Sequence, residues 1–445
     1  MITKDQILAK ASDTKALIIC QDAEKRAADM FNELFPGATA TIIADTNTYK
    51  IAGEAIYNQL KAAGIPTVEP FILDDPDLYA EWSFLERIEE YLKKTDAIGV
   101  AVGSGVINDL TKLSSEHLGR RYMICGTAAS MDGYTAYGAS ITYKGNKQTF
   151  CCRAPKGILL DPIIAAAAPK ELAASGYADL IAKIPAGADW MIADALGKEA
   201  IDEFAWELLN SKLKTSLSNP EGVHNGDIKA TEDLAELLIM SGFAMQTMQS
   251  SRPASGTEHQ YSHCWDIENL CIDGKHVSHG FKVGIGTLVS TASLEFLLNY
   301  DMSKINVDKC IETWPTWKDT EKKIKELTSY NHGLESRCLT ETKEKYTNKE
   351  DLRKELDTFL SAWPTLKEKI RGQILPYDEV KDKLRKAGAP YEPEMIHVSR
   401  EHLRHTFRII PYMRSRYTNV DIISRLGLMN ELEQHLFGKG GKYEI

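Results

Sequence analysis

The sequence predicts two domains: an α/β N-terminal domain on a parallel sheet over residues 1–162, and an all-α C-terminal domain over 163–445. Three observations predict this. Short apolar runs alternate with helical stretches up to Pro162, the pattern of parallel strands joined by crossover helices. Beyond Pro162 the apolar residues recur mostly at helical spacing. Within that second part, residues 300–400 become dense in Lys, Glu and Asp, which reads as a charged helical extension. A chain of 445 residues is long enough for two or three domains of roughly 100–200 residues each.

In the first domain, residues 39–44 read as a buried strand ending at Asp45-Thr46-Asn47, and a helix over 49–63 is closed by Gly64-Ile65-Pro66. Residues 96–102 form a second apolar run ending at Gly103-Ser104-Gly105, followed by a helix over 106–118. A third run, 122–125, leads into Gly126-Thr127-Ala128-Ala129-Ser130. Residues 139–150 alternate around Gly145-Asn146, a hairpin signal, and 157–161 form a last short strand broken by Pro162. In the second domain an alanine-rich helix surrounds residues 176–183, and a longer one covers 225–250, stopped by Ser250-Ser251-Arg252-Pro253. Another starts near His279, where Gly280, Gly284 and Gly286 permit close packing. The charged helices of 300–400 carry Trp314, Trp317 and Trp363 as anchors to the body.

Composition excludes some partners. A net charge of −10 argues against wholesale binding to nucleic acid or an anionic membrane. The N-terminus lacks the apolar core of a signal peptide, and no run of eighteen apolar residues suggests a membrane span. Eight cysteines without a Cys-x-x-Cys pair read as reduced thiols in a cytoplasmic protein.

Several positions carry chemistry. Ligands of parallel sheets sit at the carboxyl ends of the strands. Gly103-Ser104-Gly105 allows backbone N–H groups to approach a pyrophosphate at a helix N-terminus, though a tight strand–helix turn reads the same way. Asp45 can accept hydrogen bonds from a ribose diol or cap a helix. Thr127 and Ser130 either close over a nicotinamide or cap the next turn. His259 and His263 are four apart and share a helix face, with His279 following shortly; three such imidazoles suit Zn, Ni, Fe or Cu, and otherwise are ordinary hydrogen-bonded histidines. Glu258-His259 is not the His-Glu-x-x-His pattern of zinc proteases. Asp179 stands four before Lys183 as for a solvated pair, yet its apolar neighbours suit an inward carboxylate that needs a cation or metal. Arg414 and Arg416 are candidates to clamp a phosphate, against surface ion pairing.

Taken together, Gly103-Ser104-Gly105-Val106-Ile107-Asn108-Asp109, the 127–135 string, 176–183, Gly256 to His263, Ser278-His279-Gly280 and Met413 to Thr418 resemble the bacterial branch of the glycerol-1-phosphate dehydrogenase family. That family lies within the iron-containing alcohol dehydrogenase and dehydroquinate synthase-like superfamily. The resemblance is good over residues 35–290 and 405–425, and does not extend to 300–400. It implies a nucleotide-binding α/β domain and a helical metal-binding domain. It implies Asp179, His259 and His279 as ligands of one divalent ion (Zn, Ni or Fe). His263, Asp132 and Asp179 are implied as catalytic or substrate-contacting residues. For NAD or NADP it implies Asp45, then Gly103, Ser104, Gly105, Val106 and Ile107, and then Thr127, Ala128, Ala129 and Ser130. Two departures stand out: Ala129 replaces a common proline, and Ala136 a serine that often contacts the cofactor. The implied activity interconverts dihydroxyacetone phosphate, a small phosphorylated triose, and sn-glycerol 1-phosphate in a cytoplasmic homodimer. The alternatives are a dehydrogenase of glycerol or another plain polyol, a lyase on the same scaffold, and a non-catalytic nucleotide-binding protein.

Overall fold

The apolar runs before Pro162 become one all-parallel sheet in the computed structural model, which describes residues 2–445. In chain order the strands before Pro162 are β1 (Ala16–Ile19), β2 (Ala40–Asp45), β3 (Phe71–Leu73), β4 (Ile98–Gly103), β5 (Tyr122–Gly126), the hairpin β6 (Ala139–Tyr143) and β7 (Asn146–Phe150), and β8 (Gly157–Leu160). The six-stranded sheet runs β1-β8-β5-β4-β2-β3. Its centre is covered on both faces, as parallel sheets require: Ile42, Ile43, Val100, Val102, Met123 and Cys125 are all inaccessible to solvent. Two strands of this sheet were not expected from the sequence. Both β1 and β3 lie at sheet edges, have only four and three residues, and leave most side chains part-exposed, so they lack a long apolar run. The hairpin turn is also one residue earlier than Gly145-Asn146: Lys144 and Gly145 occupy it, with φ of +52° and +76°, and Tyr143 pairs with Asn146. Two positive φ angles are what a two-residue turn matching strand twist demands.

The sheet defines a switch point. The chain steps outward from β2 to β3, then returns to place β4 on the other side of β2 and continues through β5. The carboxyl ends of β2 and β4 therefore meet, with Ala44 opposite Val102. Such a crevice is where open α/β sheets bind ligands.

Two compact units emerge, interleaved along the chain. One comprises the chain up to Leu180 with Glu203–Ser251 and Lys386–Gly388; the other comprises Ile181–Asp202, Arg252–Arg385 and Ala389–Ile445. The first therefore holds, besides the sheet, the helices Lys170–Ile181 (to Leu180) and Ile228–Met248. In the second, the helices Thr257–Ile267 and His279–Asn299 pack closely; a Cβ on Gly286 would stand 2.3 Å from the Glu258 carbonyl oxygen. The 21-residue helix His279–Asn299 is long and apolar enough to cross a membrane, but 83% of its apolar window is buried inside the protein. It is interspersed with Gly, Ser and Thr, which is why no continuous apolar run marks it in the sequence. The charged stretch after 300 forms amphipathic helices such as Lys349–Gln373, whose Leu352, Leu356, Phe359, Trp363, Leu366 and Ile370 are buried while Lys349, Glu350, Asp351, Lys354, Asp357, Glu368 and Lys369 are exposed.

Candidate active site

The crevice of the first unit is built by the ends of β2, β4 and β5. Asp45, closing β2, caps the turn that follows: its Oδ1 accepts from the N–H of Asn47 (2.8 Å) and of Thr48 (3.0 Å). Among the described residues no hydrogen bond reaches its Oδ2. Capping thus occupies a single oxygen of the carboxylate. Gly103 ends β4, and Ser104 is the N-cap of the helix Gly105–His117 without using its side chain. The first N–H groups of such a helix have no partner within the helix, an arrangement that attracts phosphate. A Cβ on Gly103 would lie 2.6 Å from Ile107, while one on Gly105 would meet only the movable end of Met131, at 2.7 Å. Val106 and Ile107 continue the turn, Ile107 being buried. After β5, Thr127, Ala128, Ala129 and Ser130 form a buried loop tied to β4 by the Thr127 N–H bond to the Gly103 carbonyl (3.1 Å). Gly176 presses against this loop; a Cβ there would sit 2.0 Å from the Ala129 oxygen.

Asp132 follows on the same loop. Its Oδ2 accepts from Ser241 (2.9 Å), and its N–H donates to Asp179 Oδ2 (3.2 Å). Both acids are buried, Asp179 completely. The loop is held from beneath by Lys112, whose Nζ donates to the carbonyls of Gly133 (2.8 Å), Ala136 (3.0 Å) and Gly138 (3.0 Å). Sequence reading missed Lys112 and Ser241. The helix Gly105–His117 is buried nearly all round, so its lysine sits where an apolar residue is the norm. Ala136, standing where a serine contact was expected, offers its carbonyl to Lys112 instead.

In the second unit the three histidines converge. The His259 ring lies 5.3 Å from that of His279 and 6.3 Å from that of His263, centroid to centroid. Glu258 Oε1 stands 2.8 Å from His259 Nδ1, and Ser262 Oγ 3.3 Å from His279 Nδ1. When Nδ1–H donates to these oxygens, Nε2 of each ring carries the lone pair, the usual way an outer partner orients a metal-binding imidazole. Glu258, absent from the expected site, is fully buried and its acidity is weakened to about 7, chiefly by burial, with Lys183 and Arg416 opposing. It also accepts from the Gly256 N–H (2.6 Å). Beside it Asp189 accepts from the N–H groups of Thr257 (2.7 Å) and Asn419 (2.8 Å), fixing the start of the helix Thr257–Ile267. Burial first, and the nearby Arg414 second, hold His263 well below its ordinary value, so it is a neutral imidazole.

The guanidinium groups gather in the same unit. Arg414 donates to Ser255 Oγ (3.3 Å) and Arg416 to the Ser255 carbonyl (2.8 Å). Arg252, read from sequence only as part of a helix stop, is fully buried, donates to the Tyr417 carbonyl (2.8 Å) and pairs with Glu199 (3.4 Å).

Comparisons with known proteins bear on the fold and the family. Residues 18–169 match the iron-containing alcohol dehydrogenase family. The fold also aligns with sulfoacetaldehyde reductase from Bifidobacterium kashiwanohense in complex with NAD+, at a TM-score of 0.61 and 12% identity over 97% of this chain and 98% of that one. The architecture is thus that of the iron-containing alcohol dehydrogenases. Closer sequences narrow it. The chain is 32% identical over 56% of its length to glycerol-1-phosphate dehydrogenase [NAD(P)+] of Methanothermobacter thermautotrophicus, covering 69% of that protein. It is 34% identical over 57% of its length to the Halalkalibacterium halodurans protein of the same name. The chain belongs to the glycerol-1-phosphate dehydrogenase family. The match spans 64% of the length of the Halalkalibacterium relative.

Proposed function

We propose that the protein is a metal-dependent, NAD(P)-linked oxidoreductase that interconverts dihydroxyacetone phosphate and sn-glycerol 1-phosphate by hydride transfer. The observation that carries the reading is the His259–His279 pair, whose rings lie 5.3 Å apart, each with Nδ1 beside a neighbouring oxygen. We assign Asp179 as the third ligand. One carboxylate and two imidazoles suit Zn, Ni or Fe and leave positions open for substrate oxygens, as catalytic sites do.

When bound, a divalent cation supplies Lewis acidity to the substrate hydroxyl and a nicotinamide supplies the hydride acceptor. The chain supplies placement. The N–H groups from Gly103 to Ile107 hold the cofactor's phosphates, Asp45 takes the ribose, and Thr127 to Ser130 wall the nicotinamide end. Asp132, braced by Ser241, accepts a substrate hydroxyl. His263, beside His259, is assigned to pass the proton between substrate and solvent. Eight free thiols support a cytoplasmic location, and the family supports a homodimer.

The test is direct. Chelator-treated protein is reloaded with Zn, Ni or Fe and given NADH or NADPH with dihydroxyacetone phosphate. The expected result is metal-dependent cofactor oxidation, with a product that an sn-glycerol-3-phosphate-specific dehydrogenase does not oxidise. No turnover with any of the three metals overturns the reading.

A further inference from the structure

We infer that the Lys282–Asp266 ion pair is the brace that sets the spacing of the two histidine-bearing helices, and through it the seat of the metal ion. Lys282 and Asp266 are positioning residues that act through His279 and His259. The inference rests on the proposed metal-dependent reading and adds to it two residues that the reaction steps leave unused.

Three observations converge. First, the pair follows the placement of the imidazoles. Asp266 stands three residues after His263 on the helix Thr257–Ile267, and Lys282 three after His279 on the helix His279–Asn299. Each charge therefore shares a face with a histidine one turn away. Lys282 Nζ donates to Asp266 Oδ1 and so ties one helix to the other. The rings of His259 and His279 face each other across the same two helices, 5.3 Å apart.

Second, helix electrostatics oppose both charges. Lys282 sits near the start of its helix, where the dipole disfavours a cation, and Asp266 near the end of the other, where it disfavours an anion. Both side chains are nearly closed to water, 4% and 6% exposed. Burial adds a desolvation cost, so such a pair is weak support for stability as such, and fixing register is its best-attested use.

Third, the segment it holds is one that opens readily. His279 is the first residue of its helix and follows the short hairpin Cys271–Ile272 with Lys275–His276. The beginning of a helix has N–H groups without partners inside the helix. Ser278 satisfies one by accepting from the Phe281 N–H (3.3 Å). Farther along, Gly286 packs against the backbone of Glu258. Lys282 lies between that contact and His279, and its bond to Asp266 carries the fixed spacing back to the imidazole.

The experiment measures Co²⁺ binding to the full-length, metal-stripped protein by chelator competition, together with the visible absorption of bound Co²⁺, which reports its coordination geometry. Lys282→Arg keeps a cation on Asp266. Lys282→Met combined with Asp266→Asn removes both charges, so that neither is left buried alone. Urea unfolding reads the stability of each variant separately. The double variant is expected to bind Co²⁺ about 10–100-fold more weakly, with a shifted absorption band, at a urea midpoint close to the parent's. Lys282→Arg is expected to stay close to the parent in all three measurements. Unchanged Co²⁺ affinity and absorption in the double variant overturn the brace and leave the proposed reaction standing. Absence of Co²⁺ binding by the unaltered protein overturns the brace and the reaction together. Should the double variant fail to fold, Lys282→Gln carries the same comparison: weakened Co²⁺ binding supports the brace, and binding equal to the parent's overturns it.

Discussion

Gly176→Ala is the sharpest probe of the cofactor crevice, because it adds one methyl group at a point where backbone meets backbone. The new Cβ would lie 2.0 Å from the Ala129 oxygen, 2.9 Å from its carbonyl carbon and 3.0 Å from Leu238 Cδ1. The leucine can turn away; the carbonyl cannot, so the 127–130 loop or the helix Lys170–Ile181 must move by about 1 Å to reach a tolerable contact. Overpacking of this kind costs about 1–3 kcal/mol. Replacing a mid-helix glycine by alanine returns up to about 1 kcal/mol. The expected net loss is about 1–2 kcal/mol, seen as a lower urea midpoint. The same displacement spoils the wall assigned to the nicotinamide, and a shift of this size can cost about a hundredfold in rate. Urea unfolding followed by circular dichroism reads the first effect, and NADH titration by fluorescence with steady-state kinetics reads the second. A variant as stable as the parent, binding NADH equally well, would refute both the contact and the role given to residues 127–130.

Two further outcomes follow from buried charge. Lys112→Met strips the carbonyls of Gly133, Ala136 and Gly138 of one shared donor; losing a buried charged partner costs about 3–5 kcal/mol, and a urea midpoint within error of the parent would contradict the anchoring role. Asp189 titrates at about 6 in the folded chain, raised from 3.8 by burial first and by the charge of Glu258 second. Between those values the folded protein holds a proton that the unfolded chain has lost. Its contribution is therefore fully present below about pH 4, falls as pH rises through about 6, and is level above, a total on the order of 3 kcal/mol. Asp189→Asn should flatten that limb of the stability–pH profile, and an identical slope in both proteins would show that another group sets it.

How far the sequence discloses this molecule depends on the range of the forces involved. The strands β2, β4 and β5 are legible because burial on both faces writes a continuous apolar run, and Asp45, Gly103 and Ser130 are legible because they follow such runs directly. The edge strands β1 and β3 leave no such trace, since short, half-exposed pairing asks little of composition. His259 and His263 announce themselves through helical spacing, and His279 through its closeness in sequence. Their supporting residues do not. Glu258 beside His259 has the wrong order for a known protease motif, and only the fold shows that its carboxylate faces the imidazole of its own neighbour.

Arg252 and Lys112 make the same point more strongly. Each is a long cationic side chain of the kind that usually reaches water, and each is wholly or almost wholly buried. What brings them inside is a set of carbonyls and acids contributed by other segments: Gly133 to Gly138 for Lys112, Tyr417 and Glu199 for Arg252. Apolar periodicity carries no record of such partners, because it registers only which face of an element avoids water. A charged residue becomes interpretable when the groups that compensate it are located, and in this chain those groups lie between 21 and 165 positions away.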